Sequence, residues 1–112
     1  MQAGFFARLM QANETFRAGL PGTLRRLQDV RAGLDPAAPA ADLVAELGAL
    51  LHTLAGAAAT FGFREMGQGA RSLEQRLRVL TAFDHVGAGD WSAWLAGVEQ
   101  FAQAGLAGSR SA

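Results

Sequence analysis

Apolar residues recur at helical spacing along most of this chain. Two series precede Asp35: Phe5, Leu9, Phe16 and Leu20, and then Leu24, Leu27, Val30 and Leu34. Pro21 and Gly22 separate the two series, and both residue types interrupt helices. The spacing therefore predicts a short N-terminal helix followed by a second helix that begins at Pro21.

A longer helix is predicted in the middle of the chain. The segment D-P-A-A-P-A-A from Asp35 contains two prolines and no periodicity, so we expect a loop that ends with Asp42 as an N-cap. The apolar stripe that follows contains Leu43, Leu47, Leu50, Leu54 and Phe61. Gly62 is then a natural helix stop, because glycine readily adopts the left-handed conformation common at helix ends.

Two further helices complete the pattern. Apolar residues spaced alternately by three and four, as in a bundle seam, occur at Phe63, Met66, Ala70, Leu73, Leu77 and Leu80. After the turn-like D-H-V-G-A-G-D, Asp90 is predicted to cap a last helix. The inward residues of that helix are expected to be Trp91, Leu95, Val98 and Ala102, with Trp94 packing at its edge.

These elements predict an all-α fold: an up-and-down four-helix bundle with an additional N-terminal helix that covers one end. No segment alternates with period two over a useful length, so we expect no sheet. At 112 residues the chain is long enough for one core, and we predict one domain over residues 1–107 with a frayed tail at 108–112. All the apolar stripes are usable in that core, so we expect a monomer.

Composition narrows the classes of function. Ten basic residues balance ten acidic ones, which removes the electrostatic argument for a nucleic acid or an anionic membrane as partner. The chain has no cysteine, which excludes disulfides, thiolate metal sites and a thiol nucleophile. The N-terminal segment lacks a basic and apolar leader, and charges interrupt the apolar runs. We therefore expect a soluble cytoplasmic protein, and Met1 favours a free-standing one.

One titratable residue stands among small ones. At about 100° per residue, His52 lies about 180° from Leu43 and points to solvent. Its face is formed by Ala45, Gly48, Ala49, Ala55, Gly56 and Ala59. A solvated face normally carries long polar side chains, and each glycine costs about 1 kcal/mol relative to alanine. These residues favour an exposed imidazole that is able to act as a nucleophile toward phosphorus, with room for a partner's backbone.

The stretch H-T-L-A-G-A-A-A-T-F-G-F from His52, followed by S-L-E, resembles the signature of the histidine-containing phosphotransfer (HPt) domain of two-component phosphorelays. The matching residues are His52, Leu54, Gly56, Gly62, Leu73 and Glu74. The resemblance implies that His52 accepts a phosphoryl group from a receiver-domain aspartate and returns it to another receiver. Glu74 is expected to accept a hydrogen bond from His52 Nδ1, and Arg78 to contact the phosphate or the partner.

The resemblance also implies partners and cofactors. The expected partners are a response-regulator receiver domain, a hybrid histidine kinase, or both. They are expected to dock on a shallow apolar patch that contains Gly48, Ala49, Ala55, Gly56 and Ala59. The receiver is expected to supply Mg²⁺, and this chain is expected to have no cofactor or metal of its own and neither kinase nor phosphatase activity. His85 has no second ligand at metal-binding spacing and is expected to be an ordinary loop residue.

Ala55 departs from the family pattern, because the family usually has lysine there. Two functions therefore remain open. The chain is either a phosphotransfer protein with His52 as acceptor, or a docking module that binds a receiver or kinase without transfer. A helical bundle with no signalling role ranks last, because it does not account for the two glycines that flank an exposed histidine.

Overall fold

The computed structural model describes residues 2–83 and 85–111, with side chains for 4–83 and 85–108. This part of the chain forms four α-helices and no strand: α1 Gln2–Ala32, α2 Ala41–Thr60, α3 Arg64–Ala82 and α4 Ala88–Ser111. The predicted all-α bundle is confirmed. Three residues lie outside the described part of the chain: Met1, Asp84 and Ala112. They belong to the chain start, the last loop and the tail of the predictions above.

The first helix is continuous where two helices were predicted. Pro21 lies inside α1 and has no N–H to donate to the carbonyl of Arg17, a defect that costs about 3 kcal/mol in a helix interior. Leu20 and Leu24, on either side of Pro21, are nevertheless both buried in the same core. Burying such side chains contributes about 1.5–3 kcal/mol each, so tertiary packing outweighs the local interruption.

The N-terminal part of α1 projects beyond the bundle. The turn between α2 and α3 lies at the level of Asn13, whose Nδ2 donates to the Phe61 carbonyl at 3.4 Å, and of Phe16, which stacks on Phe61 at 5.3 Å. Before that level Phe5 is 58% exposed and Leu9 46% exposed. The expectations that this segment covers one end of the bundle, and that every apolar stripe enters one core, are therefore wrong.

The four helices surround a single core. In the described chain α2 packs on α1 and α3, α4 also packs on α1 and α3, and α2 and α4 lie diagonally opposite each other. Trp91 is buried as expected, whereas Trp94, expected at the edge of the helix, also lies in the core, where its Nε1 donates to the Leu73 carbonyl at 2.9 Å. The core therefore ties α4 directly to α3, the helix that carries Glu74.

The helix ends differ from the prediction in detail. Asp42 and Asp90, predicted as N-caps, lie within the first turns of α2 and α4, where their carboxylates face the positive end of the helix dipole. Gly62 follows α2 with a φ of 84°, and Phe63 N donates to the Ala58 carbonyl at 2.8 Å, closing a Schellman turn as predicted. At the other end, α4 stays helical through Ser111, past the predicted start of a frayed tail.

Helix α2 is the most apolar element of the bundle. By length and composition alone, with a mean hydropathy of 1.4, this helix is able to span a membrane. The expectation that charges interrupt every apolar run before that length is therefore wrong for α2. In this fold Leu47, Leu51 and Leu54 are buried against the other helices. The same composition therefore serves as the core helix of the bundle.

Candidate functional site

His52 stands near the middle of α2 with its side chain 73% exposed. Leu51 and Leu54, which flank His52 within one helical turn, are buried. The imidazole therefore points away from the core. A helix packed into the bundle along one side therefore presents the ring to solvent on the other.

Glu74 of α3 is the partner of His52. Its Oε2 lies 2.8 Å from His52 Nδ1, and its side chain is only 15% exposed. The carboxylate oxygen accepts this hydrogen bond and Nδ1 donates it. In the neutral imidazole, Nε2 is then the nitrogen with the free lone pair. This is the contact that the resemblance implied for Glu74.

Arg78 lies one turn further along α3. Its Nη2 donates to the same Glu74 Oε2 at 3.3 Å, and the rest of the guanidinium is exposed. This oxygen therefore accepts from both His52 and Arg78. Of the five N–H donors of a guanidinium, most therefore remain available to a phosphate or a partner.

A tight approach of α2 and α3 brings Glu74 within reach of His52. The turn over residues 61–63 reverses the chain, so the two helices run antiparallel. At Gly67 a Cβ atom would lie 3.4 Å from both the Ala55 carbonyl oxygen and the Ala59 nitrogen. A Cβ there would already touch the α2 backbone, so glycine at this position favours the close approach of the two helices.

Three of the five residues predicted for partner binding form an open surface beside His52. Ala49, Gly56 and Ala59 are exposed. A Cβ at Gly56 would find no other described atom within 4 Å, apart from the backbone of its own helix. Space above the helix at this position is therefore open to an approaching chain.

Ala55 and Gly48, by contrast, face α3. Ala55 is 4% exposed, and a Cβ on the half-buried Gly48 would lie 3.3 Å from Leu77 Cδ2. The expectation that both belong to the exposed face is wrong. The buried stripe of α2 runs through Leu47, Leu51, Leu54 and Ala58. At about 100° per residue this stripe is rotated by about 40° toward Ala55 from the predicted one.

Metal-binding residues do not cluster within the described chain, where no three His, Cys, Asp or Glu side chains lie close enough to hold an ion. His85 is exposed in the loop between α3 and α4. Among the described residues, His52 is the histidine whose side chain makes a hydrogen bond.

Comparison with known proteins gives one match. A protein-family model described as Hpt domain matches residues 11–105, which is most of the chain and includes both His52 and Glu74. No curated protein and no solved structure gives a significant match.

Proposed function

Because the chain belongs to the Hpt domain family, which acts in histidine phosphotransfer within two-component signalling, we propose that it relays a phosphoryl group between receiver domains through His52. The observation that carries the proposal is the 2.8 Å contact of Nδ1 with Glu74 Oε2 on an exposed imidazole. In the neutral imidazole this contact keeps the proton on Nδ1 and leaves the lone pair on Nε2 of an exposed ring, as a nucleophile requires.

The proposed reaction moves no proton at Nε2. The Nε2 lone pair attacks the phosphorus of a receiver's aspartyl phosphate, and the Nε2–P bond forms as the P–O bond to the aspartate breaks. The aspartate leaves as a carboxylate with that electron pair. The imidazole ring gains a positive charge, which the Glu74 carboxylate stabilises through Nδ1–H. The reverse step passes the phosphoryl group to another receiver.

The receiver supplies the rest of the proposed site. Phosphoryl transfer needs in-line positioning and neutralisation of charge around the moving group, for which Mg²⁺ is a common agent. We assign the Mg²⁺ and its acidic ligands to the receiver. The chain then acts as a carrier, with no kinase or phosphatase activity of its own.

The docking surface in this proposal is the open face at Ala49, Gly56 and Ala59. A helix or loop of a receiver domain packs against this face. The receiver is either a separate protein or part of a hybrid histidine kinase, and the encounter takes place in the cytoplasm. Because the face is small and uncharged, binding is expected to be transient and to respond weakly to salt.

The test is phosphoryl transfer from a panel of phosphorylated receivers to the native chain, His52→Gln and His85→Gln. His85 is an exposed loop histidine, so its variant is a matched control. We expect an acid-labile, alkali-stable phosphate on the native chain and on His85→Gln, and none on His52→Gln. Label on His52→Gln would contradict the assignment of the acceptor.

A second candidate function rests on Ala55. Its methyl group replaces the lysine usual in the family, and it is buried. If no receiver transfers phosphate but one still binds the native chain, the protein is a docking module without transfer. The same panel, repeated as a binding measurement with unphosphorylated receivers, separates the two functions.

A further inference from the structure

A second arginine of α3 lies beside the candidate site and is uncommitted. Arg71 precedes Glu74 by three residues, so the two side chains are neighbours on one helix face. Arg71 is exposed, and it makes no hydrogen bond or ion pair with any residue that the structure describes. Arg78, on the other side of Glu74, donates to that carboxylate instead.

Arg71 also borders a shallow groove between α2 and α3. The cavity has a volume of about 350 Å³. Its lining includes small residues of both helices and the polar residues Arg64, Gln68 and Arg71, with Ala55, Ala59 and Gly67 among the small ones. Ala55 lies three residues after His52, which is about one helical turn. The Arg71 end of the groove is therefore the end next to the imidazole, whereas Arg64 lies at the start of α3, ten residues before Glu74.

The groove contains both Ala55, where the family usually has a lysine, and Arg71, whose positive charge has no partner among the described residues. We propose that the Arg71 guanidinium contacts the oxygens of the phosphoryl group on His52 Nε2, and so supplies from α3 the positive charge that α2 lacks. This inference rests on the proposed function. A guanidinium suits the role because its planar fork binds two phosphate oxygens at once and stays charged.

The decisive experiment measures transfer from a phosphorylated receiver to four chains: native, Arg71→Ala, Arg64→Ala, and Arg71→Ala combined with Ala55→Lys. Arg64→Ala removes the same charge from the same groove at a distance from His52. We expect Arg71→Ala to slow transfer at saturating receiver about tenfold. This is less than for an arginine enclosed in an active site, because solvent screens an exposed pair.

The other two variants discriminate the role further. Arg64→Ala is expected to transfer at the native rate. Ala55→Lys is expected to restore most of the rate lost in Arg71→Ala, because the groove beside Ala55 gives the lysine chain a path to solvent. A native rate in Arg71→Ala, or an equal loss in Arg64→Ala, would overturn the assignment. So would weaker binding of the unphosphorylated receiver with no change in rate at saturation.

A measurement without any receiver separates failure of this inference from failure of the relay. Phosphoramidate phosphorylates exposed histidines chemically, so all chains in this measurement also carry His85→Gln, which removes the exposed loop histidine. ³¹P NMR then reports the surroundings of phosphorylated His52. We expect the ³¹P signal to shift in Arg71→Ala and to stay in place in Arg64→Ala. A shift without any receiver transfer would keep the contact and reject the relay. Identical signals in all variants would reject the contact, whatever the receivers do.

Discussion

At the scale of single residues, Glu74 connects the exposed histidine to the folded bundle. One oxygen, Oε2, accepts from both His52 Nδ1 and Arg78 Nη2, so the carboxylate is held between two donors. The residue is mostly buried while the histidine is exposed. The orientation of His52 is therefore fixed by Glu74, which is itself held by packing and hydrogen bonds.

The first prediction concerns this carboxylate. Glu74→Gln keeps a hydrogen-bonding group but removes the negative charge that stabilises the phosphorylated ring. We expect transfer to fall about tenfold, equivalent to about 1.4 kcal/mol of transition-state stabilisation, and Glu74→Ala to lose more. The measurement is the transfer rate at saturating receiver, with circular dichroism to verify the fold. Native rates in Glu74→Ala would rule out the orienting role.

The second prediction uses two glycines of α2. Gly56→Ala adds a methyl group into open space, so we expect the helix to gain about 1 kcal/mol of stability. In Gly48→Ala the added Cβ lies 3.3 Å from Leu77 Cδ2, and crowding should cancel much of that gain. Urea denaturation of both variants measures the difference.

The same pair separates packing from docking. We expect Gly56→Glu to abolish receiver binding, because it places a charged side chain on the open face. Gly48→Ala should leave binding at the native level, because Gly48 faces α3. If Gly56→Glu still bound and transferred phosphate, the docking face would lie elsewhere on the bundle.

The residues of the site show where sequence reasoning succeeds. The resemblance carried the pairing of His52 with Glu74, because the motif specifies both residues and their separation. The sequence did not show that Ala55 and Gly48 face α3. The periodicity of one helix does not indicate on which side the neighbouring helix packs. Arg71 was not singled out from the sequence. Both Arg71 and Arg78 lie about one turn from Glu74, and only the structure shows that Arg78 is the one that donates to the carboxylate.

At the scale of elements, α1 is the clearest case in which packing overrides local signals. Helix α4, and the approximate ranges of α2 and α3, followed from apolar periodicity. The division of α1 did not, because a proline penalty is local whereas the burial that offsets it comes from α2 and α4. Their contribution was not visible before the helices were assembled.

The third prediction follows from Pro21. Pro21→Ala restores a backbone N–H inside α1, so we expect the free energy of unfolding to rise by about 1–3 kcal/mol. Pro36→Ala in the α1–α2 loop is the matched control and should give no gain, because loop prolines restrict the unfolded chain. Urea denaturation measures both. Equal stability of native and Pro21→Ala chains would indicate that α1 is interrupted at Pro21.

At the scale of the whole molecule, the bundle and the projecting start of α1 are separable. The fourth prediction is that deleting residues 2–9 changes the free energy of unfolding by less than about 0.5 kcal/mol, because Phe5 and Leu9 are exposed. Phosphotransfer should also be unchanged. Phe16→Ala, which removes the stacking on Phe61 and Phe63, should by contrast cost about 2 kcal/mol. A large loss on deletion would show that the segment packs on the bundle.

The projecting helix also determines how the molecule moves through solution. The chain measures 56 × 26 × 21 Å with a radius of gyration of 15.7 Å, whereas a compact domain of this length has a radius of gyration of about 13 Å. An elongated particle experiences more friction than a sphere of equal mass. A single copy will therefore elute early from a size-exclusion column, and its mass has to be read from light scattering.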